Sequence, residues 1–199
     1  GLVVGKRFRV TDGVFEINCP GASGARTFEF LGDWVIASGA SVLTQGSAST
    51  THTLRLNGDL INNGILSLFD PNNTDRRVHL FMLGESNAAI TGSGTLNRLG
   101  LLTVNKGTSP ATTMELNVAG TLETLTGDWF ALQNGTFYFN KASTVTFHSG
   151  NSNFDLVASA AIKIEQGTAN FGYGNSDNSD LFLRGKLELV SGALNIGNP

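Results

Sequence analysis

One phrase returns along the whole chain: apolar-x-apolar, a glycine, a short alternating run, a second glycine, and another alternating run. The last copy is the clearest, Leu181-Phe182-Leu183-Arg184-Gly185-Lys186-Leu187-Glu188-Leu189-Val190-Ser191-Gly192-Ala193-Leu194-Asn195-Ile196. The first nearly mirrors it, Leu2-Val3-Val4-Gly5-Lys6-Arg7-Phe8-Arg9-Val10-Thr11-Asp12-Gly13-Val14-Phe15-Glu16-Ile17. A repeat that fills a chain constrains its fold more than any local propensity does.

Five further copies lie between these two. The first glycine recurs as Gly5, Gly32, Gly58, Gly84, Gly120, Gly150 and Gly185, at spacings of 27, 26, 26, 36, 30 and 35 residues. The second recurs as Gly13, Gly39, Gly64, Gly94, Gly135, Gly167 and Gly192. Between them the apolar period is two, so each unit reads as three short strands with one face buried. The glycines read as structural turn residues, supplying backbone that other residues adopt at a cost.

A unit of this size cannot bury its own apolar face. Stacking units at about 4.8 Å per step buries a continuous core and pairs each backbone with the one above and below. The sequence therefore predicts an all-β chain, a right-handed parallel β-helix of about seven coils with three short strands each. A β-sandwich has similar strand spacing but gives no reason for the two chain ends to match in phase.

The third corner is expected to carry variable polar loops on one edge, at 20–27, 46–52, 70–77, 106–113, 140–143 and 172–180. The run Leu101-Leu102-Thr103-Val104-Asn105 falls outside the phrase and reads as an added strand or bulged arm. Leu56, Met82, Val118, Phe147 and Leu183 are expected to form one inward column ending at Phe30. The matched ends predict that residues 1–199 form one solenoid segment, an internal fragment of a longer array whose partners are neighbouring coils of the same parent chain. The start at Gly1, without Met or a charged-then-apolar leader, supports that expectation.

Composition narrows the function. With a net charge of −3 and 13 Lys+Arg, no basic surface for nucleic acid is expected. No apolar run reaches the ~18 residues of a membrane-spanning helix. A lone Cys19 forms no internal disulfide framework.

Few residues suggest chemistry, and no catalytic or cofactor-binding residue is assigned. The acids Asp33 and Asp59 follow the first glycine in successive units, with Glu85 next, and would stack about 5 Å apart. A Ca²⁺ ion bridging Asp33 and Asp59 is one reading of that row, and splaying into water is the other. Asp70 and Asp75 are a second Ca²⁺ candidate within Asp70-Pro71-Asn72-Asn73-Thr74-Asp75, where Asp is also favoured for turn geometry. Asp177 and Asp180 form a further acid pair. His52, His79 and His148 stand at different phases and make no metal column. Trp34, Trp129, Tyr138 and Tyr173 are the side chains available to stack on sugars. The phenylalanines at alternating positions read as buried ladders.

Ile90-Thr91-Gly92-Ser93-Gly94, Leu101 to Gly107, Leu116-Asn117-Val118-Ala119-Gly120-Thr121-Leu122 and Leu187 to Asn198 resemble the degenerate repeats of very large secreted surface proteins of Bacteroidota. Among these are the gliding-motility adhesin filaments (SprB-type) exported by the type IX secretion system. Autotransporter passengers share the Gly-Thr-Leu rhythm. The resemblance implies an extracellular, cell-surface stalk or adhesin without enzymatic activity, whose loops contact surface polysaccharide or other cell-surface components. The alternative is a carbohydrate-active β-helix, a polysaccharide lyase or hydrolase, whose acids and bases would cluster on one face.

Overall fold

The computed structural model describes residues 2–17, 24–149, 153–172 and 180–197. Its strands fall on eight coils, about seven turns from the first to the last. The first coil holds β1 (Leu2–Val4), β2 (Phe8–Val10) and β3 (Val14–Ile17); the second holds β4 (Thr27–Phe30), β5 (Trp34–Ile36) and β6 (Ser41–Thr44). The third holds β7 (Thr51–Leu56), β8 (Leu60–Asn62) and β9 (Ile65–Ser67), and a short β10 (Phe69–Asp70) leads into the next. The fourth holds β11 (Asn73–Met82), β12 (Ala88–Gly92) and β13 (Leu96–Leu99); the fifth holds β14 (Leu101–Asn105), β15 (Thr113–Val118) and β16 (Thr121–Thr124). The sixth is one strand, β17 (Phe130–His148), that rounds two corners. The seventh is β18 (Phe154–Leu156) with β19 (Ala160–Phe171), and the eighth is β20 (Leu181–Leu183), β21 (Lys186–Leu189) and β22 (Ala193–Ile196).

Strands of successive coils pair in parallel and build three faces. On the first face Val4, Phe30, Leu56, Met82, Val104 and Leu132 stand one above another. On the second face the row is Phe8, Trp34, Leu60, Ile90, Leu116, Phe139, Ile164 and Leu189. On the third it is Phe15, Val42, Leu66, Asn97 and Leu122. The solenoid is thus all-β with a continuous core, as the period of two requires. Among the described residues there is no helix long and apolar enough to cross a membrane.

The expected inward column is real only over a short stretch. Leu56 and Met82 are paired, but the column continues through Val104 and Leu132. Val118 lies on the second face opposite Gly92, and Phe147 lies on the third. Leu183 lies on the first face of the eighth coil, opposite Leu156, and is 47% exposed. The cause is one skipped coil. The run 101–105 is no added arm but an ordinary first-face strand, paired with β11 below and β17 above.

The same slip exchanges two glycines between columns. Gly120 belongs to the second corner, where a Cβ would lie 2.1 Å from the Gly94 carbonyl oxygen, just as one on Gly94 would lie 2.5 Å from that of Gly64. These three are glycine because neighbouring backbones approach too closely for a side chain. Gly135 belongs to the first corner, against Lys106, with a φ of 87° that favours glycine. The other named glycines keep their expected corners, and Gly150 lies outside the described residues.

The polar loops consequently do not share one edge. Residues 106–113 turn the first corner, between β14 and β15, and residues 140–143 round the second corner within β17. The stretch 70–77, expected as a loop, is largely strand: β10 pairs antiparallel with the start of β11.

Two ladders are interrupted. The third-face sheet that starts at β3 ends at β16, and on the first face β18 and β20 form a separate pair. Aromatic packing fills this region. Phe147 lies 5.2–5.5 Å from the rings of Trp129, Phe130, Phe137, Phe139 and Phe171. Each such buried side chain contributes about 1.5–3 kcal/mol through the area it removes from water.

Candidate functional site

The first corner concentrates the acids that the sequence singles out. Each of three successive first-face strands ends in a glycine and an acid: Gly32-Asp33 after β4, Gly58-Asp59 after β7 and Gly84-Glu85 after β11. Together with Asn57, Ser86 and Asn87 they line an open groove of about 470 Å³.

The Asp33 and Asp59 carboxylates do not stack as free charges. The Asp59 N–H donates to Asp33 Oδ1 at 3.2 Å, and the Ala89 N–H donates to Asp59 Oδ1 at 2.8 Å. One coil further on, the Thr113 N–H donates to Asn87 Oδ1 at 2.9 Å. Each side chain therefore terminates a strand of the coil above, satisfying a donor that the corner would otherwise strand. Arg7 forms an ion pair with the second oxygen of Asp33 at 2.9 Å. The Arg7 hydrogen bond, followed by that of the Asp59 amide, holds the Asp33 carboxyl below its ordinary range.

A lysine lies beneath the groove. Lys106 is fully buried, and its Nζ donates to the carbonyls of Asn57 at 3.1 Å and Leu83 at 2.5 Å. It thereby ties the fifth coil to the third and the fourth. Burial lowers its pKa, and the Asp59 carboxylate opposes that shift. Lys141 does similar work at the second corner, donating to the carbonyls of Val118 and Gly120, both at 2.8 Å. Neither lysine carries a sequence signal that separates it from a surface lysine.

Asn62 is a further fastener. Its amide donates to the Leu96 carbonyl and to Asn97 Oδ1, both at 2.9 Å, and it accepts from the Gly64 N–H at 3.0 Å. Its sequence signal is its place two residues before the second glycine of its unit.

The other Ca²⁺ candidates stand apart from this corner. Asp70 is buried on the β10–β11 hairpin, accepts from the Asn72 N–H at 2.9 Å and pairs with Arg76 at 2.9 Å. Burial pushes its carboxyl up, but the Asn72 and Arg76 hydrogen bonds prevail and hold it below the ordinary value. Asp75 is exposed on the same hairpin. Among the described residues no three His, Cys, Asp or Glu side chains gather as a metal site.

The expected sugar-stacking indoles are interior. Trp34 and Trp129 are buried, and Trp129 Nε1 donates to the Thr146 carbonyl at 2.7 Å. Tyr138 is half-buried, donates to Glu165 at 3.0 Å and carries the Lys163 ammonium 4.6 Å from its ring centre. Tyr173, Asp177 and Cys19 lie outside the described residues.

The histidines are also separate. His52 Nδ1 accepts from the Arg26 N–H at 2.9 Å, and His79 Nε2 contacts Thr103 Oγ1 at 2.8 Å. His148 Nδ1 lies 2.9 Å from Asp128. Asp128 and His148 line a second open groove, of about 250 Å³, with Asn153 and Asp155. No family model, no curated protein and no solved structure matches the chain.

Proposed function

We propose that this chain is a shaft segment of a long extracellular filament or adhesin, not an enzyme. One observation carries the reading. The polar side chains from which a β-helix would build a site at the first corner are engaged in joining coil to coil, as Asp33, Asp59, Asn87 and Lys106 illustrate. Such side chains stiffen a rod and leave the outer loops as the variable, ligand-contacting segments. The placement on a cell surface, among type IX-secreted gliding-motility filaments of Bacteroidota, rests on the repeat resemblance. Surface polysaccharide is the ligand class proposed for the loops.

A carbohydrate-active β-helix is the competing reading. Its best location is the groove that brings Asp128, His148 and Asp155 together. A panel of acidic and neutral polysaccharides incubated with the chain separates the two. Binding without chain shortening is the expected result. Shortening that disappears in Asp128→Asn or Asp155→Asn would replace the shaft by an enzyme.

A further inference from the structure

The third wall of the rod opens between the fifth and sixth coils. Among the described residues, β16 has no strand partner on its sixth-coil side, and residues 144–148 of β17 pair only with β19. Both edges lie in the middle of the rod, with coils below and above. Their Cα atoms are mostly more than 8 Å apart. A direct ladder holds strands about 4.8 Å apart, and one intervening strand sets them about 9.6 Å apart. The opening is thus one strand wide.

Side chains brace it at both ends. One step lower, the carbonyls of Gly92 and Thr95 accept from the amides of Ala119 and Thr121, both at 3.0 Å. Register places Val118 and Gly120 at the same points one coil up. There the Lys141 Nζ donates to both carbonyls at 2.8 Å, in the place of sixth-coil backbone. An ammonium on a long stem therefore spaces the two coils where the third wall begins. At the far end the Trp129 Nε1 donates to the Thr146 carbonyl at 2.7 Å, and the Gly127 amide donates to Ser149 Oγ at 2.9 Å.

Between these braces lies an open slot of about 300 Å³. Its lining is uncharged: four threonines and a serine, with Leu122, Leu125 and Val145. Two facing strand edges offer main-chain donors and acceptors to a third strand, which gains hydrogen bonds on both sides. A charged segment would lose its water there with no opposite charge to meet. A sugar ring finds no aromatic platform among the lining residues.

We propose that the slot between β16 and the end of β17 is a strand-accepting site. It takes one extended, uncharged segment of a partner protein and completes the third wall. Alternate apolar side chains of that segment meet Leu122 and Val145, and the others face the threonine hydroxyls. The inference goes beyond the shaft reading and is independent of it, since it concerns a protein segment and not a polysaccharide.

Residue-resolved hydrogen exchange on the whole chain tests it, with a blocked hexapeptide of alternating Thr and Val as the probe. In the free chain, the slot-facing amides of 121–124 and 144–146 should exchange much faster than those of β13. The peptide at about 1 mM should slow both sets about tenfold. The same peptide N-methylated at alternate residues keeps its side chains but cannot sit between two strands, and should lose the effect. Thr124→Trp fills the slot and, with an unchanged circular dichroism spectrum, should abolish the protection. Slot-facing amides already as slow as those of β13 in the free chain overturn the proposal, as does a peptide that protects neither edge. So does equal protection by the N-methylated peptide, or protection by cellohexaose in its place.

Discussion

Between the second and fourth coils the first-face row steps by 26 residues at each turn, from Phe30 to Leu56 to Met82. From the fourth coil onward the steps become 22 and then 28, to Val104 and Leu132. In the regular region all three ladders are continuous and the core is mainly aliphatic, with Leu54, Leu56, Leu60, Leu66 and Ile90. Among the later coils a pair of ladders is interrupted, and Trp129, Phe130, Phe137, Phe147 and Phe171 occupy the interior. The Trp129 indole takes over a bond to the Thr146 carbonyl beside the third-face interruption. Coils can thus be fastened by backbone ladders or by interlocked rings; rings also meet on the first two coils, at Phe8, Phe30 and Trp34, but they are densest where the ladders stop.

The largest effect should come from the rings. Phe147→Ala should cost about 3–5 kcal/mol in chemical denaturation, more than Met82→Ala, which should fall at the lower end of about 2–5 kcal/mol. Equal costs would break the contrast. Next come the glycine columns. Gly94→Ala should cost about 1–3 kcal/mol, since its Cβ would meet the Gly64 carbonyl. Gly5→Ala, with open space around it, should stay within about 0.5 kcal/mol. A smaller loss, about 1–2 kcal/mol, is expected for Trp129→Phe, which leaves the Thr146 carbonyl without its indole donor. Hydrogen exchange in that variant should rise around 144–148 and leave β4 to β9 unchanged.

The smallest effect is on pH. Burial, aided by Arg26, lowers the pKa of His52, and burial, aided by Arg77, lowers that of His79. Both are therefore favoured neutral in the fold. Their contribution to stability is complete above the ordinary imidazole value of 6.5 and is lost as pH falls below it through the folded values. Acid titration should loosen β7 and β11 first, and His52→Gln should reduce that slope. An acid response confined to the aromatic coils would contradict this.

The period of two and the glycine corners were legible in the sequence, and they suffice for the solenoid. The fifth coil was not. Most coils reach the next through a polar third-corner loop, whereas Gly100 alone joins β13 to β14. A Cβ at Gly100 would lie 2.6 Å from the Val78 carbonyl, so the corner is too tight to hold a loop. Without that polar mark, one coil passed for an arm and the phase slipped at Val118, Gly120 and Gly135. The corner chemistry was half legible. The acid row at Asp33 and Asp59 could be read, but its acceptance of amides from the next coil depends on backbone spacing. Lys106 was invisible, because its burial arises from carbonyls in two other coils.

The fifth coil also shows that corners vary independently of the ladders. Its connection from the fourth coil shrinks to Gly100, while its first-face strand keeps full parallel partners below and above. Reach in this architecture is therefore digital, counted in whole turns of about 4.8 Å. Duplicating or deleting a single coil would move whatever stands at the two ends closer or farther apart without redesigning the cross-section, as links are added to a chain of fixed gauge.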